Sequence, residues 1–317
     1  GNAWTRLMLC QCIFQLTGQK PSRKWVQRFT ARHPKLEPKR SRPLDPKRAR
    51  AFNPNTISKF FDLYEKVICD YEIPPENIYN TDEKGIQLGG GKKASRTEHF
   101  FTKGDQHRYV LKSDSLLLVT VIETVSATGD LGPPGIIFFF LSHVPSPSIL
   151  ITHSVSQTEN GWTDNSVCHH WFTKSFIPWS RSRNLSNKPI LWICDGHKSH
   201  ETDEMLDLAF TNNIIIMCLP PHTTHKMQPL DVGVFGPFQA DWVEYCENAA
   251  IESDPVTKYN VIRSYMNVRA RSVNKSSILA AFRHCGLWPF NKNIFREEDF
   301  APSKRFSTQA SVPTGFP

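Results

Sequence analysis

Apolar and polar positions follow two different periods along this chain, and the change falls just after Pro74-Pro75. Before it the spacing is helical. Residues 3–16 carry Trp4, Leu7, Ile13 and Phe14 as apolar points, and Thr17-Gly18 supplies a stop. In "KPSRKWVQRFTARHP", Ser22 is a candidate N-cap. Trp25, Val26 and Phe29 form an apolar stripe opposite Arg23, Lys24, Gln27, Arg28 and Arg32, and Pro34 ends the pattern. A helix, a short Gly-containing turn and a basic amphipathic helix are the grammar of a helix-turn-helix. Asn53-Pro54 then opens a further helix whose Ile57, Phe60, Phe61, Tyr64 and Ile68 share one face.

After residue 76 short apolar runs take over. Strands are predicted over 78–88, 116–125, 136–141, 190–194 and 214–219. Helices are predicted over 163–177, 201–211 and 231–248, with Pro237 a kink in the last. Early strands followed by alternating helix and strand predict an α/β fold with a mixed sheet flanked by helices. Four segments are expected: the helix-turn-helix segment 1–36, a basic linker and connecting helix 37–75, the α/β core 76–250, and a C-terminal helical segment with a loose tail 251–317.

Composition narrows the class. The chain has 317 residues, a mean hydropathy of −0.40 and a formal charge of +8. Its longest wholly apolar run, 136–141, is far too short to span a bilayer, so no membrane partner is expected. Eight irregularly spaced cysteines without a CxxC fit a reducing compartment better than a disulfide framework. The charge is segregated. Residues 1–50 hold 13 Lys and Arg against Glu37 and Asp45, a net +11 that leaves −3 for residues 51–317. A basic head points to a polyanion. Its candidate contacts are Arg23, Lys24, Arg28 and Arg32 on the helix, and Lys39, Arg40, Lys47 and Arg48 in the linker. The linker pairs also have the form of a nuclear address.

Candidate chemistry comes from three aspartates. Asp82 interrupts a predicted strand, where Asp is disfavoured. Asp195 ends another, in "ICDGHKSH", and Asp231 opens a helix after "PPHTTHKMQPL". Alone, Asp195 reads as turn chemistry, since Asp-Gly suits a turn. If the first and fourth strands are neighbours, Asp82 and Asp195 face each other, and close carboxylates need a proton or a cation. Hard divalent cations take carboxylate oxygens, and a third acid would complete a two-metal clamp for phosphoryl transfer. The pairs His197/His200 and His222/His225, near Cys194 and Cys218, match no recognised zinc spacing. "GGGKK" lacks the P-loop pattern and reads as a hairpin turn, and Asp164 reads as a helix cap.

Together, "YNTDEKGIQLGG", "ICDGHKSH" and "LPPHTTHKMQPLDVGVFGPF" resemble the three acidic blocks of pogo-like transposases of the mariner superfamily. Asp195 and Asp231 are separated by the 35 residues usual there. "NGWTDN" and "AAFRHCGLWPFN" are similar to other family segments. "KPSRKWVQRFTARHPKL" resembles the second half of a centromere-protein-B-type helix-turn-helix, so an upstream motif is expected to precede this sequence. The resemblance covers about residues 18–290. It implies a ribonuclease H-like core with Mg²⁺ or Mn²⁺ on Asp82, Asp195 and Asp231. It also implies double-stranded DNA, both transposon ends and target, as substrate, a homo-oligomeric assembly and a nuclear site of action. A domesticated, catalytically silent DNA-binding protein is the alternative.

Overall fold

The computed structural model describes residues 5–39, 45–91, 100–104, 107, 109, 113, 115–139, 154–158, 165–196 and 202–304. The chain forms two compact units, residues 1–50 with 297–317, and residues 51–296. This grouping differs from the four segments expected above. The connecting helix and residues 251–296 go with the sheet, because their apolar faces are buried against it and against each other.

In the first unit, α1 (Arg6–Thr17) is capped by Thr5, whose hydroxyl accepts from Met8 N at 3.2 Å. It closes on Gly18 at φ +69°, a left-handed turn that glycine adopts without cost. In α2 (Arg23–Arg32), Ser22 Oγ accepts from Trp25 N, the Trp25 and Phe29 rings stack along the predicted stripe, and the His33 ring beyond it is tilted against Phe29. Part of the expected linker is also helical. Asp45 Oδ1 accepts from Lys47 N at 2.8 Å at the start of α3 (Pro46–Ala51), which is Asp-Pro capping chemistry.

The second unit opens with α4 (Pro54–Asp70). Asn53 Oδ1 accepts from Thr56 N at 3.0 Å, and Ile57, Phe60, Phe61 and Tyr64 are buried as their spacing predicts. Tyr64 donates to the carbonyl of Leu287 at 2.9 Å, and Phe61 and Tyr64 pack on Phe290. These contacts tie α4 to the far end of the unit.

Six strands follow: β1 (Ile78–Gln87), β2 (Leu118–Ser126), β3 (Gly135–Phe139), β4 (Ser154–Thr158), β5 (Ile190–Cys194) and β6 (Ile214–Cys218). They form one sheet in the order β4-β3-β2-β1-β5-β6. β1 is antiparallel to β2 and parallel to β5, and β5 is parallel to β6. The sheet is therefore mixed, as predicted. β4 is the one strand the pattern missed. Its sequence, SVSQT, is polar, and among the described residues it pairs only with β3, at the sheet edge. "GGGKK" leaves β1 in a turn, with Gly90 N donating to Gln87 O, but β2 begins about thirty residues later, so the connection is no tight hairpin. Lys92 and Lys93 lie outside the described residues.

Each sheet face carries its own helices. On one, Tyr79, Ile122, Trp192 and Cys194 pack against Val167, Cys168 and Trp171 of α5 (Asn165–Trp171), and against Phe172, Phe176 and Ile177. A π-helical turn at Phe172–Phe176 joins α5 to α6 (Ile177–Arg183), and Met205 and Ala209 of α7 (Asp203–Thr211) complete this layer. Thr81 sits here too, its hydroxyl 2.7 Å from that of Thr124 and accepting from Trp192 Nε1 at 2.6 Å. After a short α8 (Thr224–Met227), a second π turn at Leu230–Val234 leads into α9 (Phe235–Ile251). Pro237 falls in the first turn of α9, just after the π turn, where the helical hydrogen bonding changes from π to α. α10 (Val261–Ser272) and α11 (Lys275–His284) follow. α12 (Ala301–Lys304) belongs to the first unit.

Candidate active site

Strand alternation puts Asp82 on the face opposite Thr81, shared with Asn80. The parallel register pairs Ile78 with Leu191 and Asn80 with Ile193, so continuing it by two residues brings Asp82 level with Asp195 just past the end of β5. Asp231 arrives from the π turn ahead of α9.

Two buried amides lock that turn onto the strand. Asn80 Nδ2 donates to Ile193 O at 3.1 Å and to Gln228 Oε1 at 2.9 Å, while Asn80 Oδ1 accepts from Leu230 N at 3.1 Å. Gln228 Nε2 donates in turn to Thr81 O at 3.1 Å. Both side chains are fully buried. β1, β5 and the Asp231 turn are thus cross-linked by groups that have no water to fall back on. The close seat is completed from α11: a Cβ placed on Gly233 would stand 2.6 Å from that of Ala281.

The electrostatics report the outcome. The Asp82 carboxyl is held well above the usual carboxylate range, first by burial, then by the charge of Asp231 and, more weakly, by that of Asp195. The backbone N–H of Glu83 and the side chain of Gln228 pull the other way. Asp231 also raises the Cys285 thiol, after burial as the main cause. The three acids are therefore electrostatic neighbours. Among the described residues no three Asp, Glu, His or Cys side chains are arranged so as to hold a metal ion.

Beside Asp82 in the antiparallel ladder stands Glu123, which shares its face. Glu123 is buried and answered fully. Arg269 of α10 meets it with two parallel N–H donors, Nε to Oε1 at 2.7 Å and Nη2 to Oε2 at 2.8 Å, and Tyr265 donates to Oε1. Arg269 Nη2 also reaches Gly132 O at 2.6 Å. This fourth carboxylate is thereby committed to an ion pair.

Sequence reasoning missed Asn80, Gln228, Glu123, Arg269 and Tyr265. Asn80 and Glu123 left a signal, a polar residue inside an apolar strand. The partners on α10 had none. Arg23, Lys24, Arg28, Arg32, Lys39, Lys47 and Arg48 are all exposed in the first unit, away from any buried partner, and Lys39 pairs with Glu37 at 2.8 Å. Arg40, Asp164, His197 and His200 lie outside the described residues. His222 is exposed, and the His225 ring lies edge-on to Phe52. A cavity of about 570 Å³ between α5 and α7, lined by His169, His170, Lys174 and Glu204, sits on the other sheet face and holds none of the acids.

The family model of the DDE superfamily endonucleases matches residues 120–282, just over half of the chain. The chain belongs to the DDE superfamily endonucleases. The match starts after Asp82 and takes in Asp195 and Asp231. Among solved structures, this DDE endonuclease is similar to the Mos1 mariner paired end complex with Mn, at 11% identity and a TM-score of 0.54, covering 90% of this chain and 77% of that one. It is also similar to the Mos1 paired end complex with Mg, at 11% identity and a TM-score of 0.50, covering 87% and 76%. These likenesses establish the ribonuclease H-like fold. In sequence it is 27% identical over 231 residues to the MFS-type transporter clz9 of Cochliobolus lunatus, covering 71% of this chain and 24% of that protein. It is 23% identical over 219 residues to the human Pogo transposable element with ZNF domain, covering 68% and 14%. The chain thus spans about a quarter or less of the curated relatives it matches. Among the described residues no helix is long and apolar enough to cross a membrane.

Proposed function

We propose that this DDE endonuclease is a pogo/mariner-type transposase whose Asp82, Asp195 and Asp231 form an acidic triad for cutting and joining DNA ends. The observation that supports this reading is the Asp82 carboxyl, half-buried on the sheet and pushed toward its protonated form by desolvation and by the charges of Asp231 and Asp195. Such a set is costly by itself and is relieved by a divalent cation. Carboxylate oxygens are hard donors that suit Mg²⁺ or Mn²⁺. Asp82, Asp195 and Asp231 would hold such ions, which would supply Lewis-acid polarisation and activation of a water or 3′ hydroxyl.

The chain's own part is placement. Asn80 and Gln228 fix the Asp231 turn against β1 and β5, which supports a preset position for the third acid. Arg269 keeps Glu123 engaged and out of the ligand set. Arg23, Lys24, Arg28 and Arg32 of α2, with Lys39, Arg40, Lys47 and Arg48, contact DNA phosphates, which gives affinity with little sequence information. Assembly as a homo-oligomer, with two copies needed to hold two ends, and a nuclear site of action belong to the same proposal.

The test is strand nicking of supercoiled plasmid with Mg²⁺ or Mn²⁺. Wild type is expected to nick, and Asp82→Asn, Asp195→Asn and Asp231→Asn each to lose nicking while keeping the wild-type circular dichroism spectrum. Near wild-type nicking by any one variant would overturn that residue's assignment. Cation-independent nicking would overturn the metal role.

A further inference from the structure

The net charge of −3 over residues 51–317 conceals a second segregation. Residues 255–296 contain eight cations, Lys258, Arg263, Arg269, Arg271, Lys275, Arg283, Lys292 and Arg296, and no acid. Helical surfaces that serve only to stay solvated usually alternate the two signs. Arg269 is accounted for inside, on Glu123. Arg263 and Arg271 on α10, and Lys275 and Arg283 on α11, are exposed. Among the described residues Arg263, Lys275 and Arg283 make no ion pair, and Arg271 reaches only the Asp241 carbonyl at 3.3 Å and the Tyr245 ring. An unrelieved run of one sign repels itself, and a polyanion relieves it.

The inner faces of these helices are the ones that seat the candidate site. Ala281 of α11 packs on Gly233 beside Asp231, Cys285 feels the Asp231 charge, and Arg269 of α10 holds the ladder neighbour of Asp82. The outer, cationic faces are rigidly coupled to the acids through one helix thickness. Along α11, Lys275 and Arg283 are eight residues apart, about 12 Å of helix rise. That matches roughly three phosphates of one DNA strand at ~3.4 Å of axis each.

We infer that the exposed faces of α10 and α11 form a second phosphate-binding surface for double-stranded DNA, separate from the basic head. It rests on the transposase reading for its choice of DNA over other polyanions. It anchors the duplex one helix thickness from the acids, so that the DNA is held by the same body that would cut it.

The experiment measures binding of the full chain to a fluorescent 30-base-pair duplex, without divalent cation, between 50 and 200 mM salt. Wild type is compared with Lys275→Gln/Arg283→Gln, with Lys275→Glu/Arg283→Glu, and with Arg23→Gln/Arg28→Gln as a head control. Each lost phosphate contact lowers the slope of log affinity against log salt by ~0.9. The α11 Gln variant is expected to lose about two units of slope. Wild type then loses roughly tenfold more affinity than that variant across this salt range. The Glu variant should bind more weakly still at 50 mM salt, with the melting temperature of both unchanged. A wild-type slope in the α11 variants would overturn the surface, whatever the head control does. Equal or tighter binding of single-stranded RNA, lost in the same variants, would overturn DNA as its partner. Asp195→Asn should keep the wild-type slope while losing nicking, so failure of the surface and failure of the triad are read separately.

Discussion

Asp82 carries the clearest consequence at the scale of single residues. Its folded pKa is raised, so protonation favours the folded chain. The stability it contributes is fully present below the ordinary carboxylate value of about 3.9 and is lost as pH climbs through the folded value. In buffer stripped of divalent cations, wild type should therefore lose melting temperature between pH 4 and 8 relative to Asp82→Asn, which cannot ionise. Saturating Mg²⁺ should cancel or reverse the gap, and a gap that ignores both pH and Mg²⁺ would contradict the account. Arg269 offers a second expectation. Removing it leaves Glu123 buried with half its partners gone, so Arg269→Met should cost ~3–5 kcal/mol. Glu123→Gln added to it should recover part of that loss in denaturant melts. Recovery would separate an uncompensated charge from simple loss of packing.

Among the elements, the decisive contact is between the Asp231 turn and its two supports. Gly233 leaves no room for a side chain against Ala281. Gly233→Ala should force the turn and α11 apart, at ~1–3 kcal/mol in urea melts. Ala281→Gly should restore part of it, since it deletes the other methyl. An additive outcome would show that the two positions do not touch in solution. Gln228 acts on the same turn from the strand side. Gln228→Ala strips Asn80 and the Thr81 carbonyl of a partner and should cost ~1–3 kcal/mol. It should depress nicking further than its stability loss explains, because the acid on the turn is no longer held in place.

For the whole molecule, two compact units carry separable signals. Trp171, Trp192 and Trp242 are buried in the second unit. Their fluorescence reports its unfolding, and replacing Trp4 and Trp25 of the basic head with Phe removes the contribution of the first unit. A cation bound only by the folded unit stabilises it by mass action, ~2.7 kcal/mol at a hundredfold excess over Kd. Millimolar Mg²⁺ or Mn²⁺ should therefore raise the tryptophan-detected melting temperature of wild type and leave Asp195→Asn nearly unmoved. An equal shift in both would place the cation elsewhere.

Much of this was legible in the chain itself. The helical stripe of α4, the caps at Ser22 and Asn53, and the strands β1, β5 and β6 follow from local periods and cap chemistry, because each depends on neighbours within a few residues. Asp82 and Asp195 stood out because they break or end an apolar run, and Asp231 because it opens a helix in the third of the resembling blocks. That they gather in one place is a matter of tertiary structure. It depends on β1 lying beside β5 in a parallel register, and on a turn that follows β6, 150 residues along the chain, being bonded to Asn80. The Glu123–Arg269 pair joins residues 146 positions apart, and no local pattern announces it. The polar strand β4 likewise has no apolar period and takes its conformation from its single neighbour, β3. The cations of α10 and α11 are visible in the sequence. Which of them is spent inside on Glu123, and which face solvent beside the acids, was decided only by the packing of those two helices on the sheet.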